Sequence, residues 1–293
     1  MTIPDYALLD FGRGRKLERF GPFVLDRPSP AAEGFEQAHP QRWREAEGRF
    51  ELSPNGNERG RWHFPDPLPA GWPLHCEELV LQVRTTPFGH TGVFPEQMPN
   101  WRWLTEQTAA AAEPMKLLNL FGYTGGSTLA AAAGLRRHGG EAPAVVHVDS
   151  SAAAVKWARR NAEISKLGEA PIRWIVEDAP RFVARERKRG NRYDGLILDP
   201  PSFGHGPKGE IWRLEEHLPS LLAECLALTA GTCRLLLLTC HSPGWGPAEL
   251  ADLVREVWPK RTQLPPLEFG ELTLTTDDGR VLPSGAMVRF ASS

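Results

Sequence analysis

The sequence predicts an α/β fold: an open sheet of seven strands, mostly parallel with an antiparallel last strand, helices on both faces, and a small β-rich domain in front. Three observations lead there. From about residue 115 onward, short apolar runs alternate with longer amphipathic stretches, the pattern of βα units and hence of a parallel sheet. Before residue 90 the pieces are shorter and are broken by Gly, Pro and Asn clusters. Near the C-terminal end two strand-like runs are joined by Asp277-Asp278-Gly279, a hairpin signal.

In the front domain, 1–90, strands are expected over 6–11, 21–25, 48–52 and 78–83, with one short helix over 40–46. A lead-in, 91–114, connects it to the main domain, 115–293. There the strands are 116–121 (KLLNLF), 144–149 (AVVHVD), 172–178 (IRWIVED), 193–199 and 233–240 (CRLLLLTC). The helices are 127–138, 151–166, 180–189, 214–228 and 247–257. Strands over 271–276 and 286–290 bring the total to seven. A Rossmann-like sheet of this kind takes ligands outside the carboxyl ends of its strands, so the residues that end each strand are the ones to read for function.

Composition narrows the classes. A length of 293 residues suits one large domain with a smaller attachment. A formal net charge of −2 gives no general attraction to nucleic acid or membrane, and the first 90 residues hold 11 Lys/Arg against 13 Asp/Glu, so a nucleic-acid surface would have to be a local patch. Cys76, Cys225, Cys233 and Cys240 form no C-x-x-C pair, which leaves no expectation of a metal. Free thiols and an N-terminus without an apolar signal core fit a cytoplasmic protein. No apolar run is long enough to span a bilayer.

Four strand ends carry chemistry. The first strand runs into Phe121, Gly122, Tyr123, Thr124, Gly125 and Gly126, a turn whose glycines permit tight backbone and close ligand approach, or simply serve a βα connection. The second ends at Asp149, which either accepts from both hydroxyls of a ribose or caps the next helix; Ser150 or Ser151 can take over the capping. The third ends at Asp178 and Ala179, where Asp178 can accept from an adenine amine, cap the helix that follows, or do both. The fourth ends in Asp199-Pro200-Pro201, a carboxylate followed by two residues that stiffen the chain. A nicotinamide enzyme shares the glycine turn and the ribose acid. The turn is not G-x-G-x-x-G, however, a second acid at Asp178 suits an adenine without phosphates, and hydride transfer has no use for Asp-Pro-Pro. S-adenosyl-L-methionine is the nucleoside cofactor that fits.

Together LLNLFGYTGGSTLAAA, HVDSSAAAVKWARRNAEISKLG, DAPRFVARERKRG and LDPPSFGHGPKGEIWRLEEHL resemble class I S-adenosylmethionine-dependent methyltransferases. The nearest resemblance is to enzymes related to bacterial 23S rRNA cytosine-C5 methyltransferases, strong over 116–245. The upstream FGHTGVFPEQMPNW is similar to that family's lead into the catalytic domain. LLDFGRGRKLERFGPFVLDRP is similar to the start of a short form without the PUA RNA-binding domain. The resemblance implies that Phe121 to Gly126 wrap the methionine and ribose parts of the cofactor. It implies that Asp149 holds the ribose with Ser150 beside it, and that Asp178 and Ala179 meet the adenine. Asp199 would lie by the methionine amino group, Pro200 and Pro201 would face the target base, and Gln97 would approach from the other side.

The acceptor divides the family. An exocyclic amine has its own lone pair and needs only orientation. Carbon 5 of a pyrimidine needs a cysteine thiolate added at C6 and a base to remove the C5 proton. Cys240, ending the fifth strand, is similar in place to the family's nucleophile, with His241 beside it as a base or thiol activator; core packing is the other reading of Cys240. Cys225 and Cys233 are expected in the core. Phe203 is read as a base-stacking group or a plug under the loop. The glycine-rich 205–213 loop with Lys208 and Arg213 is read as a phosphate contact or a solvated lid, and the basic run RFVARERKRGNR as the wet face of a helix or an RNA contact. The expectation is an enzyme acting on rRNA. The alternatives are an amine methyltransferase, a nicotinamide oxidoreductase, and a cofactor-binding module without catalysis. The front domain either stands in for the missing RNA-binding domain or forms a homodimer.

Overall fold

The computed structural model describes residues 5–53, 59–136, 144–205 and 209–292. Its contacts divide the chain into two units, Met1–Met98 with Thr273–Ser284, and Pro99–Leu272 with Gly285–Ser293.

The first unit holds a five-stranded sheet of β1 (Tyr6–Gly12), β2 (Arg15–Phe20), β3 (Phe23–Pro28), β4 (Gly48–Leu52) and β5 (Gly60–His63), in that order. A separate pair is formed by β6 (Trp72–Cys76) and β7 (Leu79–Val83). The short helix expected at 40–46 is a 3-10 turn, Arg42–Glu45. β2, β5 and β6 were not expected. In β2, RKLERF reads as surface, yet Glu18 is fully buried because Arg27, Lys16 and the Tyr6 hydroxyl surround its carboxylate. A register shift between Leu8 and Asp10 marks a bulge in β1. Asp10 is buried there, accepts from the Ala38 and His39 amides and the Trp43 indole, and pairs with Arg280 at 2.6 Å. Desolvation works to raise its pKa, and these hydrogen bonds outweigh it, holding the carboxyl below the usual range.

The second unit opens on α1 (Met98–Ala110), whose Met-Pro-Asn start reads as a turn although Pro99 suits a first helical turn. It continues with β8 (Leu117–Leu120), α2 (Gly126–Leu135), β9 (Val145–Asp149), α3 (Ala152–Ile164), β10 (Ile172–Val176), α4 (Ala179–Lys188) and β11 (Gly195–Leu198). A small antiparallel hairpin of β12 (Phe203–His205) and β13 (Ile211–Arg213) stands where only a loop was expected; Lys208 lies outside the described residues. Then come α5 (Leu214–Ala227), β14 (Leu235–Cys240), α6 (Pro247–Val257), β15 (Glu268–Thr275) and β16 (Val281–Ala291).

The sheet order is β10-β9-β8-β11-β14-β16-β15, seven strands, parallel through β14 and antiparallel between β14 and β16. The chain leaves β8 in one direction along the sheet and returns through β11 in the other, so the switch point lies between these two strands. Leu198 stands opposite Leu120 on one side and Leu238 on the other, which levels the three strand ends. Strand residues of one parity, among them Leu118, Leu120, Leu196, Leu198, Leu236 and Leu238, form one core with α4, α5 and α6. Among the described residues no helix is long and apolar enough to cross a membrane.

Candidate functional site

The glycine turn between β8 and α2 is held in a coiled form. Phe121, Tyr123 and Gly125 have φ of 57°, 47° and 92°, all left-handed. For the two aromatics this costs about 1–2 kcal/mol each, so packing must enforce it. The Phe121 ring lies 4.9 Å from the Trp212 ring and Tyr123 lies 6.3 Å from Trp157. The Gly122 amide donates to Val148 O at 3.0 Å, and the Asn161 side chain donates to Thr124 O at 2.9 Å. Gly122 and Gly126 are needed for what lies underneath: a Cβ on Gly122 would overlap the His147 ring, and one on Gly126 would overlap Trp101. His147 is itself fully buried, with Nδ1 2.9 Å from the Thr128 hydroxyl, and burial lowers its pKa to about 3.

Asp149 ends β9 beside this turn. One carboxylate oxygen accepts from the Tyr123 amide at 2.9 Å and the other from the Ser151 amide at 2.8 Å. Ser151 is the N-cap of α3, accepting from the Ala154 amide at 3.2 Å, so the cap does not fall to Asp149. Ser150 is half-buried next to it. Asp178 does cap α4, accepting from the Arg181 amide at 3.1 Å, and Ala179 is the buried first residue of that helix. Burial raises the pKa of both aspartates.

The other half of the site is built from the ends of β11 and β14. Asp199 leaves β11 half-exposed, with Pro200 buried and Pro201 exposed. Nε2 of His241 sits 3.3 Å from its Oδ1, which joins the two strand ends. The Trp212 indole donates to Pro201 O at 2.7 Å, so one tryptophan fixes the proline platform and packs on Phe121 of the glycine turn. The Ser202 and Ser242 hydroxyls are 2.6 Å apart, and beside them opens a cleft of about 470 Å³. Cys240 has 0% of its surface exposed. It is still paired with Ala286 of β16, its sulfur accepts from the Ser242 amide at 3.5 Å, and burial raises its thiol pKa. Cys225 and Cys233 are buried too.

Gln97 belongs to the first unit, buried in the 3-10 turn Pro95–Gln97. Phe203 is 49% exposed on β12. The basic run on α4 is matched by acids: Arg181 pairs with Glu210, Arg185 with Glu177, Arg187 with Glu224 and Arg189 with Glu186. His147, Asn161 and Trp212 were not foreseen. The histidine in the apolar run AVVHVD was a readable signal; the other two gave none.

The donor set suits the expected cofactor. Asp149, Asp178 and Asp199 are acceptor-only groups at the ends of β9 and β10 on one side of β8 and of β11 on the other, a set that suits ribose hydroxyls, an adenine amine and an ammonium group. The turn from Phe121 to Ser127 carries no lysine or arginine for a pyrophosphate. Among the described residues no group of His, Cys, Asp or Glu could hold a metal ion.

Comparison with known proteins agrees. A family model described as S-adenosylmethionine-dependent methyltransferase matches residues 49–257. The crystal structure of a SAM-dependent methyltransferase from Agrobacterium tumefaciens is 38% identical, superposes with a TM-score of 0.89, and is covered over 92% of its length by 100% of this chain. Ribosomal RNA large subunit methyltransferase I of Aeromonas salmonicida is 34% identical over 127 residues, 43% of this chain and 29% of that protein. Ribosomal RNA large subunit methyltransferase K/L of Hahella chejuensis is 29% identical over 160 residues, 54% of this chain and 20% of that protein. The chain thus matches less than a third of the length of these curated relatives.

Proposed function

The chain belongs to the S-adenosylmethionine-dependent methyltransferase family, and on that premise we propose that it methylates a base of ribosomal RNA, with cytosine C5 as the acceptor atom. The cofactor supplies an electrophilic methyl group carried on a sulfonium. The turn from Phe121 to Gly126, Asp149 with Ser150, and Asp178 with Ala179 are the residues proposed to hold it, and Asp199 the one that meets its ammonium group. Pro200 and Pro201 set where a flat base can lie. The observation that most supports a single site is the 3.3 Å contact between His241 and Asp199, which ties the proline platform to the strand end that carries Cys240. The names of the rRNA-methylating relatives point to the substrate class.

For C5 the chain has two tasks. The Cys240 thiolate must add to C6, and must leave again when a base has taken the C5 proton. His241 stands next in sequence and shares its Nε2 with Asp199, which suits that base. A second reading has its own support. Cys240 is fully buried and its thiol pKa is raised, the reverse of what activates a nucleophile, and this favours a base amine that needs no covalent step.

Mass spectrometry of rRNA from a deletion strain should reveal one missing methyl group, restored in vitro by the wild-type protein. Cys240→Ser and Cys240→Ala, checked for folding by thermal melt, should then lose transfer by more than about 10³-fold. A gel-stable adduct should form between the wild-type protein and RNA carrying 5-fluorocytosine. Full transfer by Cys240→Ala would remove the C5 reading and leave the amine.

A further inference from the structure

Resting on the cofactor and platform assignments above, we infer that Trp212 is a positioning residue that couples the two halves of the site. A cofactor settled in the glycine turn tightens the Asp199-Pro200-Pro201 platform through it, and an acceptor on the platform tightens the turn in return. Trp212, the turn and the platform all belong to the second unit.

The platform has few main-chain handles. Pro200 and Pro201 have no N–H, so only their carbonyls can tie them to the fold by main-chain hydrogen bonds. The Pro201 carbonyl accepts from the Trp212 indole at 2.7 Å. Beyond it the chain enters the hairpin of β12 and β13, strands of three residues each, too short to be stable alone. Trp212 is the one buried residue of β13, with Ile211 and Arg213 exposed on either side. Gly204 stands opposite it in the pairing. A Cβ on Gly204 would lie 3.7 Å from Pro201 Cγ and 3.8 Å from Trp212 Cβ, so the platform lies directly beside the hairpin. Ser202 O closes the base of the hairpin by accepting from the Leu214 amide at 3.0 Å. The seat of one indole therefore sets where Pro201 and the hairpin lie.

That seat is shared with the turn. The Trp212 ring meets the Phe121 ring at 4.9 Å and the His217 ring of α5 at 5.6 Å. Phe121 holds a left-handed φ of 57°, which a bulky side chain adopts only against surrounding packing. The turn then has two states: coiled, with Phe121 seated on Trp212, and relaxed, with that contact loosened. A cofactor that needs the coiled turn favours the first state, and the Phe121–Trp212 contact passes the preference on to Pro201 O. Coupling of this kind is reciprocal and changes affinity by about 5- to 150-fold.

The experiment is hydrogen–deuterium exchange on the full chain, with and without saturating S-adenosylhomocysteine. The reporters are the amides of the glycine turn, 121–127, and those of Ser202, Phe203 and Gly204, the first amides after the prolines. In the wild type both sets should exchange about fivefold slower or more with the ligand. β15, at the far edge of the sheet, should not change. Trp212→Phe keeps a ring for Phe121 but cannot donate to Pro201 O. In this variant the turn should still be protected, and the ligand-dependent slowing at 202–204 should fall below about twofold. Phe121→Leu breaks the link from the other side and should have the same effect at 202–204; it decides if Trp212→Phe does not fold. A Trp212 that only supports the hairpin would speed these amides equally with and without ligand, leaving the wild-type ratio intact, and that result overturns the inference. So does equal slowing of β15, or a wild-type turn that is protected while 202–204 is not. A wild-type turn that the ligand leaves unprotected sinks the assignment of the turn to the cofactor, and this inference with it, so the two failures are told apart in one sample.

Discussion

At the residue scale the site is defined by what presses on it from below. Gly122 has an ordinary backbone angle, so its lack of a side chain is a matter of space rather than of turn geometry. The space is taken by His147, which is fully buried, tied to Thr128, and unable to swing away. Gly122→Ala should therefore cost about 1–3 kcal/mol in urea unfolding, the usual penalty for overpacking. Cofactor affinity measured by calorimetry should fall with it, because the turn is displaced on the side where Tyr123 donates to Asp149. The cause is checkable by a double-mutant cycle. His147→Ala opens the space, so Gly122→Ala made in that background should lose much less than in the wild type. An additive result would mean that the two residues do not meet.

At the scale of elements, one aspartate has two tasks that can be separated. Asp178 caps α4 and is also proposed to meet the adenine. Serine caps as well as aspartate but its hydroxyl reaches less far, whereas alanine does neither. Asp178→Ser should leave the melting temperature nearly unchanged while weakening cofactor binding; Asp178→Ala should weaken binding equally and cost about 1 kcal/mol of stability as well. Equal affinity for the wild type and Asp178→Ser would limit Asp178 to capping. The same element shows how far the sequence could be read. The α4 cap, the Ser151 cap and the carboxylate ending each strand were legible because each sits next to the apolar run that announces it. Trp212 was not, since it joins Pro201, 11 residues earlier in its own connection, to Phe121 of a different one, and Asn161 reaches back 37 residues to the turn it supports. Cys240 illustrates the limit best. Its place at a strand end was readable, but its burial depends on Ala286, supplied by a strand that arrives much later in the chain.

At the scale of the whole molecule, long-range pairing also explains why the first unit was the less legible one. β2 carries charges that make sense only beside Arg27 and Tyr6 of neighbouring strands, whereas the second unit repeats a local βα pattern. That second unit encloses a neutral histidine, and its acid sensitivity follows. His147 has a pKa near 3 against an ordinary 6.5, because burial opposes its charged form. The folded value lies below the unfolded one, so the stability it confers is complete above about 6.5 and is lost progressively as pH falls toward 3. Asp149 and Asp178, whose pKa values are raised, act in the opposite sense, conferring stability at low pH that is lost as pH rises through their folded values. Glu18 and Asp10 are lowered, so theirs is lost only below the ordinary carboxylate range. Between about pH 6.5 and pH 5 His147 therefore lowers stability as the pH falls, and His90, whose pKa burial lowers to about 4, acts in the same sense. His147 alone should contribute a fall in the unfolding free energy from urea titrations of up to about 1.4 kcal/mol per pH unit there. His147→Gln, which can keep a hydrogen bond to Thr128 but cannot titrate, should be less stable at neutral pH and show a shallower slope. An identical slope in both proteins would show that the acid sensitivity arises elsewhere in the chain.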